Sequence, residues 1–278
     1  MDERCTACTE ASRPEWATIL EPAVRAALAA GAVIRARYGR PHQIGHKGEI
    51  DLVTEADTAA EREIIAILRE ELPQIGVMAE ESSQSYQEIP PEPTWVIDPL
   101  DGTTNFAHGF PWFATSIGCL VEGISVAGVI YLPMQDELFC ATRGGGAWLN
   151  GKRLQVSTAS GLKQSLMATG FPYNIQEKPE PVIAALRAVL TRAQGVRRAG
   201  AAAIDLAYVA CGRLDGFYEI NLKPWDAAAG FLLVEEAGGK VTDFRGRPFS
   251  PFVPELLATN GRIHEEMSGV LREFSLLP

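Results

Sequence analysis

The sequence predicts an α/β protein, in the broad sense that includes α+β, built of two packed halves. Three observations carry this. Before about residue 155 hairpin-linked strands dominate, whereas beyond it strands and helices alternate. A length of 278 residues exceeds the usual size of one simple core. No flexible linker interrupts the chain, so an N-terminal α+β half over 15–155 and a C-terminal α/β half over 156–278 should share an interface, behind a loose polar tail over 1–14.

In the first half, Trp16, Ile19, Leu20, Val24, Leu28 and Ile34 recur every three or four residues and predict an amphipathic helix over 15–38, with Pro22 marking a kink or the true start. A second helix is expected over 57–72, with Ala60, Ile64, Ile67, Leu68 and Leu72 on one stripe, Thr54 as N-cap and Pro73 as terminator. Strands are expected at 76–79, 94–97, 113–121, 125–132 and 137–141, then at short segments around an Asn150-Gly151 turn. The strand Trp95-Val96-Ile97 should stop at Asp98, because Pro99 has no N–H to give a ladder. "EIPPEP", Glu88 to Pro93, reads as a stiff loop. In the second half, strands at 165–169, 195–198, 215–219, 240–243 and 256–259 alternate with helices near 181–192, 201–211 and 225–237 and a last helix ending at Phe274.

Composition narrows the function. No apolar run approaches the ~20 residues of a membrane span, and the acidic start lacks the basic-then-apolar order of a signal peptide, which predicts a cytoplasmic protein. A net charge of −10, with no basic cluster beyond Arg197-Arg198, disfavours nucleic acid and anionic membranes. An anionic substrate stays compatible if bound cations supply the positive charge. Five cysteines is an odd count; Cys119, Cys140 and Cys211 lie in apolar settings as reduced structural thiols, and Cys5-x-x-Cys8 lacks the second pair of a zinc site.

The chemistry lies in acids at element ends. Asp98 and Asp101 follow one strand, Glu80-Glu81 another, Asp226 stands in the first turn of a helix, and Asp51 and Asp57 flank "LVTEA". Each alone is an ordinary turn, loop or capping acid. Together they are less ordinary, because such ends converge on one rim of a sheet, where ligands bind. All-oxygen carboxylate clusters suit Mg²⁺. Gly102-Thr103-Thr104 adds a glycine turn whose amides could approach an anion and a hydroxyl that could orient water. The residues alone carry the reading as far as Mg²⁺-dependent chemistry on a phosphate. No G-x-S-x-G elbow competes, "GGGAWLNG" lacks the ending of a Walker loop, and the four histidines are scattered, with His42 and His46 separated by a helix-breaking Gly45.

Six segments in order, "DLVTEAD", "AEES", "WVIDPLDGTTNF", "TGFPY", "RRAGAAAIDLAYVACGRLDGFYE" and "PWDAAAG", make the chain over about 15–275 resemble the inositol monophosphatases of the lithium-sensitive, Mg²⁺-dependent phosphatase superfamily. The resemblance implies a layered αβαβα sandwich of the inositol monophosphatase and fructose-1,6-bisphosphatase type, usually a homodimer. It implies that Glu80, Asp98 and the Leu100 carbonyl hold a first Mg²⁺, that Asp98, Asp101 and Asp226 hold a second, and that Glu80 contributes to a weaker third. Thr103 and Glu80 would activate the attacking water, with Asp57 bonding Thr103 or a water. The Gly102 and Thr103 amides would hold phosphate, and Asp101, the Gly200 to Ala202 backbone and Glu219 would line the sugar site. The implied reaction is hydrolysis of myo-inositol 1-phosphate or a related sugar phosphate. The alternatives are a fructose-1,6-bisphosphatase, a 3′-phosphoadenosine or other nucleotide phosphatase, or a binding protein of the transcription machinery that contacts RNA polymerase.

Overall fold

The computed structural model describes residues 2–40, 44–46, 52–83 and 88–277. The elements are α1 (Glu3–Ala11), α2 (Pro14–Arg37), β1 (Ile44–His46), β2 (Leu52–Thr54), α3 (Glu55–Glu71), β3 (Gly76–Ala79), β4 (Thr94–Asp101), α4 (Thr103–Ala107), β5 (Ala114–Val121), β6 (Ile124–Leu132), β7 (Glu137–Thr142), β8 (Gly146–Leu149) and β9 (Lys152–Arg153). They continue with β10 (Leu166–Thr169), α5 (Pro179–Leu190), β11 (Gly195–Arg197), α6 (Ala202–Ala210), β12 (Gly216–Ile220), α7 (Pro224–Glu236), β13 (Lys240–Thr242), β14 (Glu255–Thr259) and α8 (His264–Leu271).

A seven-stranded sheet runs β3-β4-β5-β6-β7-β8-β9, antiparallel except where β3 lies parallel to β4. A five-stranded sheet runs β11-β10-β12-β14-β13, with β10 parallel to β11 and β12, and β14 antiparallel to both its neighbours. Helices α2 and α3 cover the outer face of the first sheet, α6 and α7 fill the space between the sheets, and α5 and α8 pack together beyond the second. The layers are thus α, β, α, β, α. Each interlayer space has its own apolar core: Leu20, Ile64 and Trp95 in the first, Ile130, Leu206 and Phe217 in the second, and Met167, Leu257 and Met267 in the third.

Local chemistry explains why α7 sits so close to the first sheet. A side chain at Gly118 of β5 would meet Ala228 at 2.9 Å, and one at Gly128 of β6 would meet the Ala229 backbone at 2.9 Å. Glycines on the strands and alanines on the helix let the two backbones touch. Ser125 then donates to the Ala228 carbonyl at 2.8 Å, and Ser116 to that of Trp225 at 3.3 Å. The start of α7, carrying Asp226, is thereby held beside the end of β4.

Three expectations change. Residues 1–14 contain helix α1, capped by the Asp2 side chain, whose two buried side chains are Cys5 and Cys8. Cys5 Sγ lies 3.7 Å from Cys140 Sγ, and Arg4 pairs with Asp136 at 2.6 Å, so small apolar thiols and edge polar bonds dock a segment with no apolar stripe. Second, α2 starts at Pro14 and continues through Pro22, which costs one ladder bond inside an otherwise complete helix. By length and composition α2 could cross a membrane, yet its face of Ile19, Leu20, Val24 and Ile34 is buried against protein. Third, β4 continues past Pro99 to Asp101. The register shifts between Asp98 and Asp101, so Pro99 occupies an irregularity where no ladder N–H is needed, and its carbonyl accepts from the Thr115 hydroxyl at 3.0 Å.

Candidate active site

Glu80 extends from the end of β3, and its amide donates to the Ile97 carbonyl at 3.1 Å, which sets it beside β4. Within the irregular end of β4, Asp98 is 2 % exposed and accepts from the Leu100 amide at 3.0 Å. Asp101 accepts the amide hydrogen of Ala203, at the start of α6, at 2.7 Å. Asp226 caps the start of α7, accepting the Lys223 amide hydrogen on its carboxylate at 2.7 Å. These four acids, from three separated stretches of sequence, line one cleft of about 220 Å³ together with Leu100, Gly102 and Thr103.

Their charges work against one another. Burial first, then the neighbouring Glu80, Asp101 and Asp226 carboxylates, push the Asp98 carboxyl well above the usual carboxylate range. Asp101 rises likewise, through burial and then Asp226, with the Ala203 amide opposing the shift. Among the described residues no three His, Cys, Asp or Glu side chains stand in metal-holding geometry, so the acids share the cleft without meeting at one point. As a donor set they nevertheless fit a hard divalent cation: the side-chain ligands are all carboxylate oxygens, and their mutual repulsion is what such a charge would relieve.

Gly102 adopts φ +93°, and a side chain there would come within 2.8 Å of the Trp112 carbonyl. Only glycine fits this turn, and it starts α4 directly after Asp101. The Thr103 hydroxyl is 2.8 Å from Asp57 Oδ1 and 3.0 Å from the Leu100 carbonyl, so its one hydrogen is directed into the protein. The fully buried Asp57 is fixed by the other oxygen, which accepts the Thr54 amide at 2.8 Å and hydroxyl at 2.6 Å in a capping box. Asp51 and His42 lie outside the described residues.

A second cleft of about 260 Å³ adjoins the first and shares Asp101, Thr103 and Asp226 with it. Gly200, Ala202 and Glu219 line it, as does Asp205. Glu219 lies over Gly170, where any side chain would overlap its carboxylate. Burial and then the Asp226 charge raise its carboxyl well above the usual range, with Arg198 opposing. The structure therefore brings Glu80, Asp98, Leu100, Asp101, Gly102, Thr103, Gly200, Ala202, Glu219 and Asp226 to the lining of two joined clefts, with Asp57 one hydrogen bond behind them, while Glu81 lines neither. A larger open groove of about 570 Å³ along α5 holds no acid cluster.

Sequence reasoning gave no site role to Asp205 or Arg198. Asp205 is the one charged residue in the apolar helix "AAIDLAYVA", a signal available without a structure. Arg198 stacks over Phe171 at 5.0 Å, a contact between distant segments that no spacing announces.

A model of the inositol monophosphatase family matches residues 15–275. The chain is similar to an inositol-1-monophosphatase of Synechocystis sp., with 46% identity over 95% of this chain and 93% of the relative. It is similar also to the Nus factor SuhB of Escherichia coli K12, with 45% identity over 92% of this chain and 96% of that one. The solved inositol monophosphatase from Anabaena (Nostoc) sp. PCC 7120 superposes with a TM-score of 0.83 at 44% identity, covering 92% of this chain and 96% of that one.

Proposed function

The chain belongs to the inositol monophosphatase family, and on that premise we propose that it is a Mg²⁺-dependent phosphomonoesterase that hydrolyses myo-inositol 1-phosphate to inositol and phosphate. The observation that carries the reading is the gathering of four carboxylates around one cleft beside the Gly102 turn. Two to three Mg²⁺ ions would be held by Glu80, Asp98, Asp101, Asp226 and the Leu100 carbonyl. Bound there, Mg²⁺ supplies the positive charge that offsets the carboxylates and polarises the phosphate oxygens.

The chain's own groups then have distinct tasks. With its hydrogen directed towards Asp57 or Leu100, the Thr103 oxygen accepts a hydrogen from the attacking water and orients it. Glu80 takes the proton that this water loses. Asp57 keeps the Thr103 hydroxyl turned, and its own bonds from Thr54 keep it in place. The Gly102 and Thr103 amides receive the phosphate oxygens. Glu219 and the backbone from Gly200 to Ala202 face the ring hydroxyls in the adjoining cleft.

Phosphate release from myo-inositol 1-phosphate, fructose 1,6-bisphosphate and 3′-phosphoadenosine 5′-phosphate tests the proposal, with Mg²⁺, with EDTA, and with Mg²⁺ plus Li⁺. The expected result is Mg²⁺-dependent, lithium-inhibited turnover with the highest kcat/KM for the first. A higher value for either other substrate would move the assignment within the superfamily, and no turnover of any would overturn it.

A binding role in transcription is favoured by one observation, the similarity to Nus factor SuhB. Capture of RNA polymerase by the immobilised chain at low salt tests it; an empty pull-down would count against it.

A further inference from the structure

Asn105 stands on α4, two residues after the Thr103 of the proposed water site, yet its side chain points to the other half of the chain. Its Nδ2 lies 2.7 Å from the Trp112 carbonyl, 2.9 Å from that of Ala199 and 3.3 Å from that of Gly200. All three neighbours are carbonyl oxygens, which fixes which end of the amide faces them, because only the NH₂ end can donate. With two hydrogens for three acceptors, the two shorter contacts take one each and Gly200 shares.

We infer that Asn105 is a positioning residue for substrate selection: it ties the loop before α6 to the turn that carries Thr103. A bond of opposite sense lies beside it, since the Ala203 amide donates to Asp101 at 2.7 Å. The loop is thus held at two points, by a donor from the first half and an acceptor from the first half, on either side of Ala201. Gly200 and Ala202 line the cleft assigned to the sugar, while Asp101 and Thr103 line both clefts. The separation between the phosphate turn and the ring-binding backbone is therefore set by one amide group and one carboxylate. The inference rests on the phosphatase reading above only in naming what the loop binds.

The consequence is specific. Removing the Asn105 amide frees two carbonyls of the loop and leaves the acids untouched, so recognition of a hydroxyl-bearing ring should suffer more than hydrolysis of a phosphate whose leaving group carries no ring hydroxyls. Asn105→Asp should be harsher than Asn105→Ala, because it sets a carboxylate against three carbonyl oxygens.

The test uses the full chain. Hydrogen exchange of the amides over 199–203 should speed up at least tenfold in Asn105→Ala, with the amides of β5 unchanged. The kcat/KM ratio for myo-inositol 1-phosphate over p-nitrophenyl phosphate should fall at least tenfold, through KM rather than kcat. Unchanged exchange over 199–203 would overturn the inference, as would faster exchange with an unchanged ratio. If Asn105→Asp fails to fold, Asn105→Ala decides alone. If the wild type hydrolyses neither phosphate, the phosphatase reading fails, and the exchange result by itself upholds or overturns the tie.

Discussion

Glu255 and Asp98 are two carboxylates equally hidden from water, at 0 % and 2 % exposure, and their surroundings could hardly differ more. Glu255, in β14, is enclosed by donors: the amides of Phe244, Leu276 and Leu277 and the hydroxyl of Ser275. Asp98 has the Leu100 amide on one side and, on the other, the carboxyls of Glu80, Asp101 and Asp226, which raise its own. The first arrangement is complete in itself and fastens the C-terminal segment to the second sheet. The second gathers like charges and is relieved only by something positive. Burial of an acid therefore says little about its role; the sign of its neighbours says more.

Substitution separates the two most sharply. Asp98→Asn should lower phosphate release by about a thousandfold or more, while leaving thermal stability equal or raised by up to about 1 kcal/mol, because it removes one of the repelling charges. A variant that keeps Mg²⁺-dependent turnover would break the comparison. Glu255→Ala should do the reverse, costing about 3 kcal/mol in urea unfolding through its stranded amides, with kcat of the folded fraction little changed.

A third buried polar group sharpens the contrast on the closed side. His264 is fully buried between the Thr242 and Thr259 hydroxyls, at 2.8 and 2.9 Å, and burial lowers its pKa from 6.5 to about 4. The sign follows from proton binding: between these values the unfolded chain holds a proton that the folded chain refuses. Its contribution is fully present above pH 6.5 and is lost as pH falls towards about 4, by at most about 1.4 kcal/mol per unit. Comparing wild type with His264→Gln in urea at pH 7 and pH 5 should show an extra loss of roughly 2 kcal/mol in the wild type alone. The smallest effect is expected at α1, where Cys8→Ala should cost about 1 kcal/mol in unfolding free energy and leave turnover unchanged.

Much of this was legible in the sequence because it is local. The Thr54 cap and the stripe of Ala60, Ile64 and Leu68 announce α3, and the acids at the ends of β3 and β4 and the start of α7 announce a rim. What failed depended on partners distant in sequence. Cys5 and Cys8 look like part of a polar tail until Cys140 and Tyr131 are placed against α1. Pro99 looks like a strand terminator until the register shift gives it a place that needs no N–H. Asn105 reads as one residue of a signature, and its bonds to Ala199 and Gly200 exist only once the two halves are joined.

The central claim is that the acids gathered around Asp98 form the site of a cation that serves phosphate chemistry. Titration of Mg²⁺ into wild type and Asp98→Asn by calorimetry, paired with phosphate release from myo-inositol 1-phosphate in the same samples, tests it most directly. The account predicts Mg²⁺ binding and Mg²⁺-dependent release in the wild type, both lost in a variant that melts no lower. Release that persists in EDTA, or in Asp98→Asn with Mg²⁺, would contradict it.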